Sequence, residues 1–120
     1  MSLRETIFSA DDITKELVEV PEWGVTVQLR SMTAAERAGM TEQASRNGDK
    51  IDIKLMYALC IIATVYDPTT GLPIFTDQDK EAILSKSGAV VERLATKAMG
   101  ASGLSEKAVD EATARFPKES

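Results

Sequence analysis

Few residue types in this 120-residue chain are able to do chemistry, and their spacing decides what remains open to them. Asp67, Thr69 and Gly71, followed by Asp77 to Glu81, set oxygen ligands close enough together to suggest a calcium loop. An EF-hand needs acidic or amide oxygens at its first, third and fifth positions, glycine at the sixth and glutamate at the twelfth. Counting from Asp67 puts Thr69, Gly71, Leu72 and Gln78 at the later positions, so the match fails. Zinc has still less to hold it, with one cysteine and no histidine. The paired carboxylates Asp11 with Asp12 and Asp77 with Asp79 are candidates for acid and base work. Both pairs fall at expected helix starts, where the dipole favours anions, and capping is the simpler role.

Nucleophiles fare no better. Cys60 lies in Leu59-Cys60-Ile61-Ile62, a setting for a buried inert thiol, and has no histidine to activate it. As the single cysteine it allows no intrachain disulfide and suits a reducing compartment. Ser85-Lys86-Ser87 is too common a grouping to mark a site. A phosphate loop needs clustered glycines leading from a strand into a helix, whereas Gly100 and Gly103 follow a helix and read as cap and spacer. The residues therefore imply no catalysis, no cofactor and no metal.

Fourteen basic against nineteen acidic residues give a formal charge of −5, with Arg30, Arg37, Arg46, Lys50 and Lys54 each diluted by nearby acids. That argues against nucleic acid and against a membrane surface as partners. The apolar run from Leu55 to Tyr66 is shorter than the roughly 20 residues of a membrane span. Met1 to Glu5 lack the pattern of a signal peptide, so the expectation is a soluble, unexported protein.

The elements that must position these groups follow from local signals. Length predicts one domain over residues 1–120. Residues 1–15 read as a loosely docked arm, with a helical turn starting in Ser9 to Asp12. Residues 16–31 read as an antiparallel hairpin: Glu16 to Val20, a Pro21-Glu22-Trp23-Gly24 turn, then Val25, Val27 and Leu29 inward with Thr26, Gln28 and Arg30 outward. Residues 33–116 form the helical part. Thr33-Ala34-Ala35-Glu36 is a capping box opening a helix to about Ser45, and Asn47-Gly48-Asp49 turns the chain. Ile51 to Tyr66 is the most apolar helix, with Ile51, Leu55, Leu59, Ile62 and Tyr66 on one stripe and Met56, Cys60 and Ala63 beside them.

Asp67 to Pro73 is a loop, and Ile74-Phe75 a short extended piece. Thr76 or Asp77 caps a helix reaching about Met99, bent or divided at Gly88. Ser105 caps a last helix through Ala108, Val109, Ala112 and Phe116. Strands first and helices after predict an α+β fold, an N-terminal β-hairpin followed by a mainly helical domain of about four helices.

Trp23 either covers the edge of the core or presents a hot spot to a partner, and the cover role is favoured. Met40, Met56 and Met99 read as core filling unless they cluster on an exposed face. With Leu72, Ile74 and Phe75, Trp23 makes up the set of candidate partner contacts, each an apolar residue in a segment expected at the surface, with closure of the core the favoured alternative for all four.

The order of these pieces resembles the tail assembly chaperones of long-tailed bacteriophages and prophages. The resemblance is carried by Ile7-Phe8-Ser9-Ala10-Asp11-Asp12-Ile13, by Val20-Pro21-Glu22-Trp23-Gly24, and by Leu29-Arg30-Ser31-Met32-Thr33-Ala34-Ala35-Glu36-Arg37. Asp67 to Gly71 leading into Pro73-Ile74-Phe75-Thr76 continues it, with short, degenerate pieces spread over nearly the whole chain. What the resemblance implies is a non-enzymatic protein of the host bacterial cytoplasm, absent from the mature virion. It would bind the tape measure protein, keep it soluble and assist tail tube assembly around it. A programmed translational frameshift would yield a longer form whose extension recruits the tail tube protein. Phe116-Pro117-Lys118 permits a slippery C CCA AAA heptamer without showing it. Self-association through hairpin edges is a further expectation. The alternative reading is a structural tail or head-to-tail subunit of the virion.

Overall fold

A computed structural model describes residues 2–45 and 51–103. The expected turn at Asn47-Gly48-Asp49 and the helix expected from Ser105 lie outside the described residues.

The α+β expectation holds: an antiparallel β-hairpin precedes a mainly helical part, with four α-helices after the hairpin among the described residues. Strands β1 (Lys15–Val20) and β2 (Val25–Arg30) pair from Lys15 opposite Arg30 to Val20 opposite Val25. Pro21–Trp23 form a single 3-10 turn between them. Gly24 closes that turn at φ 68°, a conformation that side chains with a Cβ rarely adopt. Val18, Val20, Val27 and Leu29 share the inner face as the alternation requires, but Val25, next to the hairpin turn, is 48% exposed instead of buried.

Helix α1 (Leu3–Ser9) corrects the reading of the arm. The expected start at Ser9 to Asp12 is where this helix ends. It opens at Ser2, whose hydroxyl accepts from Glu5 N while the Glu5 carboxylate accepts from Ser2 N, a reciprocal cap. Asp11 and Asp12 are therefore not at a helix N-terminus; Asp11 instead closes a local turn by accepting from Ile13 N at 3.3 Å. No residue of α1 is buried.

Helix α2 (Ala34–Ala44) starts as its sequence signals, with Thr33 Oγ1 accepting from Glu36 N and the Glu36 carboxylate from Thr33 N. Helix α3 (Ile53–Thr64) is capped by Asp52 and is the hub of the helical part, packing against α2, α4, α5 and β2. Ala58, Leu59, Cys60 and Ile61 are buried along it, whereas Ile51 and Ile53 at its start are exposed. Thr64, the one polar residue in the apolar run, is fully buried and donates its hydroxyl to Cys60 O at 2.7 Å, which satisfies it inside the helix.

The α3 helix stops short of Tyr66. Val65–Tyr66 instead form β3, which pairs antiparallel with Gln28 and Leu29 and makes the hairpin a three-stranded sheet ordered β1-β2-β3. The long helix expected up to Met99 is two. Thr76 caps a 3-10 turn at Asp77–Asp79 that runs into α4 (Lys80–Leu84), and α5 (Gly88–Ala101) follows after Ser85 to Ser87. Gly88 is the first residue of α5, and that helix continues through Gly100. Gly103, at φ 90°, leaves it.

The inner face of the sheet packs on α3 and α5. Leu29, Ile61, Val65, Leu94, Val20 and Val90 are its fully buried large side chains, with Met40 buried and Met56 and Met99 half-buried against them, so the methionines fill the core.

Candidate functional site

Three of the four candidate contact residues come together. Trp23 leaves the hairpin turn half-buried, packed on the core, and shares with Ile74 and Phe75 a shallow groove also lined by Val25, Asp67, Pro68 and Thr69. Phe75 is half-buried against the core as well, and with Trp23 it flanks a small apolar cleft over Ala82 and Ile83. The cover role thus fits Trp23 and Phe75, while Ile74 stays 42% exposed at the rim. Leu72 is not among the groove residues. It is 63% exposed on the loop, where its carbonyl accepts from Asp67 N at 2.9 Å.

Backbone pairing is what sets this geometry. Tyr66 bridges to Pro73, and Ile74 N donates to Val65 O, so the 67–73 loop returns alongside β3 and delivers Ile74 and Phe75 to the hairpin turn. Asp67 has a structural task in that return. Its Oδ1 accepts from Thr69 N at 2.8 Å and from Thr70 N at 3.4 Å, and Gly71 takes φ 75° to close the loop. Asp79 is similarly occupied, accepting from Thr76 N at 2.7 Å.

Two ion pairs fasten the hairpin to α5. Arg93 makes a two-pronged pair with Glu22, at 2.9 and 2.8 Å, and Lys97 reaches Glu16 at 3.2 Å. The Arg93 hydrogen bonds hold the Glu22 carboxyl down at about 2. Burial pushes the Cys60 thiol up to about 12, so at neutral pH it is a protonated, fully buried group unsuited to attack. Tyr57 is raised by burial and by Glu92, to whose carboxylate its hydroxyl donates at 3.4 Å.

One functional-looking side chain was missed by sequence reasoning. Arg30 points outward as the alternation predicts, and there its guanidinium lies 4.0 Å over the Tyr66 ring, donates Nε to Gln28 Oε1 at 2.8 Å and Nη2 to Gly71 O at 3.2 Å. Its one available signal was the alternation that puts Gln28 and Arg30 on the same face. The apolar pattern carries the helix through Tyr66, so the sequence carries no sign that Tyr66 lies beside them.

The groove is lined mainly by apolar side chains, and its carboxylate, Asp67, is committed to closing the loop. The family model of the phage tail assembly chaperones matches residues 2–114, and the chain belongs to that family. This is a family of assembly factors, not a class of enzymes. Among solved structures, the chain is similar to the bacteriophage HK97 tail assembly chaperone, at 22% identity and a TM-score of 0.59 over 82% of this chain and 94% of that one. At that identity the likeness is one of fold. No curated protein matches the chain in sequence. Among the described residues no helix is long and apolar enough to cross a membrane.

Proposed function

We propose that this chain holds the tape measure protein in the host cytoplasm, keeping it soluble until tail tube protein displaces the chaperone. The observation that carries the reading is the family match across residues 2–114. The surface supports it: Leu3, Ile7, Phe8, Leu17, Leu72 and Ile74 are each more than two-fifths exposed, an apolar supply for covering the stripes of a long helical client. Trp23, Ile74 and Phe75 are the central contacts in this proposal, with Leu72 beside them on the loop. Each contact is shallow, which suits a holder that must release its client.

The test is co-expression with the tape measure protein of the same phage or prophage, read as the soluble fraction and by capture on the tagged chain. Retention in the soluble fraction is the expected result, together with absence of the chain from purified virions. A tape measure protein that pellets equally with and without the chain, or a chain retained stoichiometrically in particles, overturns it. A frameshifted longer form that recruits tail tube protein belongs to the same proposal. Reading the codons for residues 114–120 and the overlapping frame beyond them checks it.

A further inference from the structure

The three-stranded sheet has an outer face opposite the core. Strand pairing puts Lys15, Leu17 and Glu19 of β1, Thr26, Gln28 and Arg30 of β2, and Tyr66 of β3 on it, with Lys15 opposite Arg30 and Leu17 in line with Gln28 and Tyr66. Two features of this face are unusual for a chain of net charge −5. Lys15 and Arg30 are like charges set directly across a strand pair, an arrangement that costs stability on its own. Among the described residues neither enters an ion pair; the ion pairs there are Arg93 with Glu22 and Lys97 with Glu16.

Arg30 is also held in advance of any partner. Tyr66, Gln28 and Gly71 fix its plane, and they use two of its five N–H donors; among the described residues nothing fills the remaining donors on Nη1 and Nη2. A guanidinium fixed in this way loses little freedom on meeting a carboxylate, which it grips two-pronged. Leu17, 64% exposed, stands on the same face next to the Lys15 and Arg30 end, and Glu19 lies at the far end.

We propose that this outer face is a docking surface for an acidic amphipathic segment of the held client. A carboxylate seats on Arg30 and Lys15, an apolar side chain rests on Leu17 and the Tyr66 edge, and Glu19 repels acids at the other end. The proposal rests on the holding function above and names the chemistry of what is held. The charge complementarity gives the segment a direction along the strands as well as a place.

The test uses the full chain and two synthetic amphipathic peptides with the same leucine spacing, one with glutamates and one with lysines on its polar face, followed by fluorescence anisotropy. The acidic peptide is expected to bind, to weaken on the order of tenfold in Lys15→Glu with Arg30→Gln, and to weaken with added salt. Leu17→Ser, a change at an exposed position that leaves the fold intact by circular dichroism, is expected to weaken it too. Equal binding of the two peptides, or binding indifferent to these variants, overturns the proposal. So does a photo-crosslinker at position 17 that captures only a second copy or residues 104–120 of the same chain. The same variants are carried through the tape measure co-expression. Retention that the double variant leaves unchanged overturns the acidic-segment proposal alone, whereas failure of the unaltered chain to retain the client overturns the holding function and leaves the peptide titration to decide the face.

Discussion

Helices α5 and α1 both carry apolar residues at helical spacing, yet α5 buries Val90, Val91, Leu94, Ala95 and Ala98 while α1 buries nothing. The first is held by tertiary packing. The second is seven residues long, short of what an isolated helix needs, and is organised by the Ser2 and Glu5 cap with Arg4 stacked 5.0 Å over Phe8. Leu3 and Phe8 remain 75% and 73% exposed. The contrast separates two uses of the same residue types: apolar side chains that close the fold, and apolar side chains left for something else to cover.

The strongest way to break this contrast is inside α5. Leu94→Ala should leave a cavity under the sheet and cost about 2–5 kcal/mol, read from denaturant unfolding. Thr33→Ala, which strips the α2 cap, should cost about 1 kcal/mol in the same measurement. Deleting residues 2–10 should move stability by less than about 0.5 kcal/mol, since nothing in α1 is buried, while lowering retention of the tape measure protein. An unfolding cost as large as that of Leu94→Ala would show that the arm is part of the core after all.

Acid should separate the two regions most gently. The Glu22 carboxyl is lowered in the fold, so its contribution is fully present above the ordinary glutamate value near 4.5 and is lost as pH falls toward about 2. The protection factors of the hairpin-turn amides, which correct exchange for its intrinsic pH dependence, should fall as pH drops through that window, while those of α1 stay unchanged. Glu22→Gln should flatten the hairpin's response. A pH-independent turn in the unaltered chain would show that the Arg93 clasp does nothing for the hairpin.

What could be read in advance was whatever local chemistry encodes. The hairpin followed from alternation and the Pro21 to Gly24 turn, and the α2 start from its Thr33 and Glu36 box, because each signal lies within a few residues of its effect. The equivalent box in α1, Ser2-Leu3-Arg4-Glu5, is equally local and equally legible. Strand β3 was not legible. Val65 and Tyr66 continue the apolar run of α3, and only pairing with Gln28 and Leu29, far away in sequence, makes them a strand. The same gap hid half of the candidate site. Trp23, Ile74 and Phe75 could be named as surface apolar residues, but their meeting depends on the 67–73 loop returning along β3. Arg30 was hidden for the same reason, since its stacking partner is Tyr66.

The end of α5 is tied back to the start of the helical part. Ser102 Oγ accepts from Met32 N at 2.8 Å across a separation of 70 residues, and the Arg93 clasp on Glu22 spans 71. Contacts this distant close late, because the loop between them must be ordered first. On the ribosome the hairpin precedes everything that covers its inner face, and Val20, Val27 and Leu29 are not fully covered until both α3 and α5 have been synthesised. Throughout that interval the nascent chain is itself an unprotected apolar surface, exposed to the same hazard of aggregation as the client it is proposed to hold.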